Sequence, residues 1–120
     1  MSADEQQRAK ELADAIAALG DVFIGRIPGA LADMNQLLQT IGQNAEDQPT
    51  WKTLHRQLHS LAGSAGTFGY TELGDRAREL ENRINDMFKA NDLYSEPTRS
   101  TFIRDQQAFM AWVEAQYAAR

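Results

Sequence analysis

Apolar residues recur along this chain with the period of a helix, and no alternating strand pattern of useful length appears. Residues 4–20, DEQQRAKELADAIAALG, are rich in helix formers and set Leu12, Ile16 and Leu19 on one face. Gly20 reads as the stop of this helix, with Asp21 able to cap a new start. Pro28 follows and either kinks that helix or begins the next. Ile27, Leu31, Met34, Leu38 and Ile41 then repeat at intervals of four, three, four and three. GQNAEDQP, residues 42–49, reads as a loop. A third helix begins near Thr50 or Trp51, with Trp51, Leu54, Leu58, Leu61, Ala65 and Phe68 as its apolar positions. Thr71 is placed to cap a fourth, whose core side is Leu73, Ala77, Leu80, Ile84 and Met87. After the break KANDLYSEPT, a last helix runs from about Thr98 to Ala118, with Phe102, Phe109, Val113 and Tyr117 as its seam. The pattern predicts an all-α fold, an antiparallel four-helix bundle with an additional N-terminal helix, as one domain over residues 1–120.

Composition narrows the function. The 120 residues contain no cysteine, so there is no disulfide, thiolate metal site or cysteine nucleophile. The N-terminus MSADEQQRAK has no apolar leader, and no run is expected to reach the length of a membrane span. A cytoplasmic protein is expected. The net charge is -5 and the basic residues are spread along the chain, which argues against a nucleic-acid binder. No GxxxxGK[ST] phosphate loop is present.

The third helix carries the one anomaly. HSLAGSAGTFGY, residues 59–70, places Gly63, Gly66 and Gly69 after a histidine in a well-patterned segment. Each glycine inside a helix costs about 1 kcal/mol against alanine. On a helical projection with Leu58 at zero, the apolar residues fall in an arc from about -80° to +20°. Ala62 lies at about +40°, His55 at about +60° and His59 at about +100°, close to Gly66. His59 therefore stands at the edge of the core stripe, and Gly63 follows one turn on. Two explanations compete: small residues let another helix pack closely, or they leave His59 accessible to a second protein. Gly69 has its own use as the turn that ends the helix.

The same residues resemble the signature of histidine-containing phosphotransfer (HPt) domains, including the phosphorylated domain of chemotaxis histidine kinases. His59, Gly63, Ser64, Gly66 and Gly69 match, and the resemblance continues into RELEN, Arg78 to Asn82. It departs at Ala62, where the family usually has lysine three residues after the histidine. The resemblance implies a phosphorelay intermediate. His59 would accept a phosphoryl group from a receiver-domain aspartyl phosphate, or within a histidine kinase system, and pass it to a response-regulator receiver. Glu81, on a stripe edge of the fourth helix, would orient the imidazole through Nδ1. The protein would have no ATP site, no autokinase activity and no cofactor of its own, the receiver supplying Mg²⁺. His55, Ala62, Gly63, Ser64 and Gly66 would form the docking surface for a receiver domain or hybrid histidine kinase. Lys52, Arg56 and Arg78 are candidates to supply the charge that Ala62 lacks. A monomer that binds neither nucleic acid nor membrane is the expectation.

His55 and His59 also have the i,i+4 spacing of metal ligands, but no third or fourth ligand is identifiable, so no metal site is assigned. The alternative function is an HPt-like adaptor that binds a receiver or kinase domain without being phosphorylated. A helical bundle that docks elsewhere is a third reading.

Overall fold

The computed structural model describes residues 2–118. It comprises α1 (Ala3–Gly25), α2 (Ile27–Gln43), α3 (Gln48–Thr67), α4 (Thr71–Lys89) and α5 (Thr98–Val113), ending in a π-helical turn, Glu114–Ala118. No strand occurs among the described residues. Helices α2 to α5 pack in sequence, α5 returning to α2, and enclose one core. The fold is all-α, as the periodicity predicts.

The expected apolar positions fill that core. Ile27, Met34, Leu38 and Ile41 enter from α2, and Trp51, Leu54, Leu58, Leu61 and Ala65 from α3. Leu73, Ala77, Leu80, Ile84 and Met87 enter from α4, and Phe102, Phe109 and Val113 from α5. Leu31 and Tyr117 are only partly buried against it, and Phe68 is half-buried with its ring 5.8 Å from that of Phe23. The Trp51 indole N–H donates to the Ala45 carbonyl at 3.1 Å, which lets a large aromatic be buried with its polar atom satisfied.

Several boundaries differ from the sequence reading. Gly20 does not stop α1, and Asp21 caps nothing: the helix continues to Gly25 and turns at Arg26. A single glycine does not end a helix whose next turn is anchored, and Phe23 and Ile24 pack on the core just beyond it. Gly20 is instead buried against the Phe68 ring. Pro28 lies in the first turn of α2, so it begins that helix. Helix α3 starts earlier than expected because the Asp47 side chain accepts from the Thr50 amide at 3.3 Å. Thr71 is the first residue of α4 rather than its cap.

The first part of α1 lies outside the core. Every residue from Ser2 to Leu19 is exposed, including Leu12, Ile16 and Leu19. Within Ala3–Gln43 one stretch is long and apolar enough, by length and composition, to cross a membrane, and 17% of it is buried. That corrects the expectation of no such run. A stop at Gly20 would divide the segment, whereas α1 and α2 follow one another with a break of one residue at Arg26.

Candidate functional site

The site forms where α3 and α4 cross, and a glycine sets how closely they approach. A Cβ on Gly74 of α4 would lie 3.2 Å from the Ala62 carbonyl oxygen, 3.5 Å from the Gly66 nitrogen and 3.6 Å from the Ala65 Cβ. Backbone atoms occupy that space, so only a residue without a side chain fits without displacement. Glu81 follows two turns later on the same helix. Its side chain is 10% exposed, and its Oε2 lies 2.7 Å from Nδ1 of His59. The His59 side chain is itself 73% exposed. One ring nitrogen is thus held by a largely buried carboxylate while the ring faces water.

Around His59 the small residues divide into two sets. Ala62 and Ala65 are buried against α4. Gly63 and Gly66 are exposed, and a Cβ on either would meet nothing within 4 Å. The small residues thus divide: Ala62 and Ala65 serve close packing, whereas Gly63 and Gly66 leave open space beside His59. Ala62 leaves the expected docking surface: it is 1% exposed, as its projection near the core arc already implied. Ser64 is half-buried. It lies with Ser60 in a groove bounded by Leu19 and Val22 of α1 and by Ala30 and Asp33 of α2. Gly69 has φ +84°, and the Tyr70 amide donates to the Ala65 carbonyl at 2.8 Å, so it closes α3 as a left-handed C-terminal turn.

His55 is turned further inward than a surface rim requires. Its side chain is 26% exposed, and its Nε2 lies 3.7 Å from the same Glu81 Oε2. Its other edge faces an open groove with Lys52, Arg56, Asn85 and Phe88. Lys52 and Arg56 are exposed, the Arg56 guanidinium donating to the Thr53 hydroxyl at 3.2 Å. Arg78 is exposed one turn before Glu81 and makes no ion pair among the described residues. Among those residues no group of three or more His, Asp or Glu could hold a metal ion. Sequence reasoning missed Gly74, although its position in the α4 pattern, one residue after core Leu73, was the available signal.

A helical bundle that presents one exposed histidine, with its inner nitrogen on a carboxylate of the neighbouring helix, has the build of a histidine phosphotransfer module. The Hpt domain family matches residues 21–105, and the chain belongs to that family. It is also similar to the chemotaxis protein CheA of Klebsiella aerogenes, 33% identical over 70 residues, covering 58% of this chain and 11% of that protein. Against the chemotaxis protein CheA of Salmonella typhimurium it is 33% identical over 64 residues, covering 53% of this chain and 10% of that protein. The chain thus spans about a tenth of the length of these curated relatives. No solved structure matches. The protein is a histidine-containing phosphotransfer domain of the two-component signalling type.

Proposed function

We propose that this chain is a phosphorelay intermediate, with His59 as phosphoacceptor between receiver domains or within a histidine kinase system. The observation that carries the reading is the 2.7 Å contact between His59 Nδ1 and Glu81 Oε2 on a ring that is 73% exposed. With Nδ1–H donated to the carboxylate, the Nε2 lone pair is free to react. It attacks the phosphorus of a receiver's aspartyl phosphate, forming N–P as the bond to the aspartate oxygen breaks. The aspartate leaves as carboxylate, and the proton on Nδ1 stays in place. Glu81 balances the positive charge that the ring acquires, and delivery to the next receiver is the reverse of these steps. The receiver brings Mg²⁺. Gly63 and Gly66 let its surface approach the imidazole closely, with Ser64 and the groove beside it as further contact. His55, Lys52, Arg56 and Arg78 flank the reacting centre, the three cations as candidates to attract the phosphoryl oxygens. The domain works in the cytoplasm as a monomer.

A second reading rests on Ala62. At the position where related domains usually carry lysine, this chain has a buried methyl group and no cation. An adaptor that binds a receiver or kinase domain without being phosphorylated would fit that loss.

One experiment separates them. The protein is incubated with Mg²⁺ and a panel of phosphorylated receiver domains, and its intact mass is followed beside His59→Gln and Glu81→Ala. An acid-labile phosphate adduct is expected on the wild type and not on His59→Gln. Glu81→Ala is expected to transfer about tenfold or more slowly, as when a group orienting a reactive imidazole is lost, while still binding the receiver. Binding without any adduct would establish the adaptor. An unchanged rate in Glu81→Ala would remove that carboxylate from the mechanism.

A further inference from the structure

Glu81 faces two imidazoles, and the phosphoacceptor is only one of them. His55 stands one turn before His59 on α3, on the same side of the helix. Its Nε2 is enclosed, has no hydrogen-bond partner and approaches Glu81 Oε2 at 3.7 Å. That separation is too long for a hydrogen bond, yet leaving an enclosed polar atom unpaired is destabilising. The ring therefore occupies its place for some reason other than its own hydrogen bonding.

Its surroundings supply one. His55 lines an open groove together with Lys52, Arg56, Asn85 and Phe88, and Glu81 is not part of that lining. The His55 ring thus borders both Glu81, at 3.7 Å, and a groove that carries two cationic residues. A glutamate has three side-chain torsions and readily changes partner. Given a path, a carboxylate leaves a neutral imidazole for an ammonium or guanidinium, because charge-assisted bonds are the stronger ones.

We propose that His55 is a positioning residue for His59. It walls Glu81 off from Lys52 and Arg56 and directs an Nε2–H at Glu81 Oε2, so that the carboxylate stays on His59 Nδ1. The proposal deepens the phosphoacceptor reading and rests on it for its biological meaning. Its structural content can be read without any phosphoryl donor.

The test measures imidazole ¹⁵N shifts of the unphosphorylated protein, comparing wild type with His55→Ala and His55→Gln. In the wild type His59 is expected as the Nδ1–H tautomer. His55→Ala opens the wall, and His59 is expected to shift towards a mixture of tautomers. Receiver-driven transfer should fall about tenfold with receiver affinity unchanged. His55→Gln, which keeps a donor and most of the volume, should restore both readings and guards against a folding defect in the alanine variant. In His55→Ala, Lys52→Ala with Arg56→Ala should also return His59 towards Nδ1–H, since the competing cations are gone. An unchanged His59 tautomer in His55→Ala would overturn the proposal. So would a loss of transfer matched by an equal loss of receiver affinity, which would make His55 a docking residue. A tautomer shift in a protein that never labels would sink phosphotransfer and leave the positioning role standing.

Discussion

Gly63 and Gly74 stand on facing helices at the same site and do opposite things there. Gly63 lies on the outer face of α3, where an added Cβ meets nothing within 4 Å. Gly74 lies on the inner face of α4, where the same atom would come 3.2 Å from a backbone oxygen of α3. One glycine leaves open space beside His59, and the other lets α4, which carries Glu81, lie close against α3. In a helix the direction of the missing side chain decides what a glycine is for. Two glycines with the same intrinsic cost to their helices thus lie one on an open face and one in a packing contact.

The strongest break of this comparison is at the inner glycine. Gly74→Val drives two methyl groups towards the Ala62 carbonyl and Ala65, atoms that cannot turn aside. Overpacking of this kind costs about 1–3 kcal/mol. Since α4 must move away from α3, Glu81 should also lose its hold on His59. Urea unfolding should show the lost stability, and the ¹⁵N spectrum should show His59 released from the Nδ1–H form. A variant as stable as wild type, with His59 unchanged, would show that the crossing has slack that the geometry does not suggest.

The outer glycine should respond with the opposite sign. Gly63→Ala adds a methyl group in open space and removes a helix-breaking residue. It should stabilise the protein by about 0.8–1 kcal/mol in the same urea experiment. Gly63→Trp should remain folded yet block receiver docking and transfer together. If the tryptophan variant docks normally, the open strip has some cause other than access to His59.

Much of this was legible in the sequence, and each failure has its own physical cause. The core faces of α2 to α5 follow from periodicity because each is covered by another helix. Leu12, Ile16 and Leu19 show equally good periodicity but are exposed, since a pattern names a face and does not supply its neighbour. That stretch of α1 also precedes the residues matched by the Hpt domain family, which begin at 21. His59 and Glu81 could be paired because each sits on the edge of a readable stripe and falls in a shared motif. Ala62 shows the opposite hazard. Its projection placed it near the core, the motif drew it to the surface, and the projection was right. His55 and His59 differ by only about 40° on the same wheel. Both rings meet Glu81, and that angle separates one that is largely enclosed from one that stands mostly in water, a difference finer than sequence spacing can resolve.

The smallest effect expected is a control on the far side of α4. Arg83 donates to Asp105 of α5 at 2.8 Å, joining these helices without involving Glu81. The Arg83 hydrogen bond holds the Asp105 carboxyl below its ordinary value, outweighing the opposing effect of desolvation. A carboxyl group depressed in the folded state stabilises the fold above its unfolded pKa, and that contribution is lost as pH falls through the folded value. Asp105→Asn should therefore melt slightly below wild type at neutral pH, and the two curves should converge in acid. The pair is solvent-accessible, so the difference should be near the limit of a thermal melt. His59 should keep its Nδ1–H tautomer in this variant. A His59 that shifts when only Asp105 is neutralised would mean that α4 transmits changes from its outer contact to its inner one. The contrast between Gly74→Val and Gly63→Ala would then have to be read as movement of the whole helix rather than as local packing.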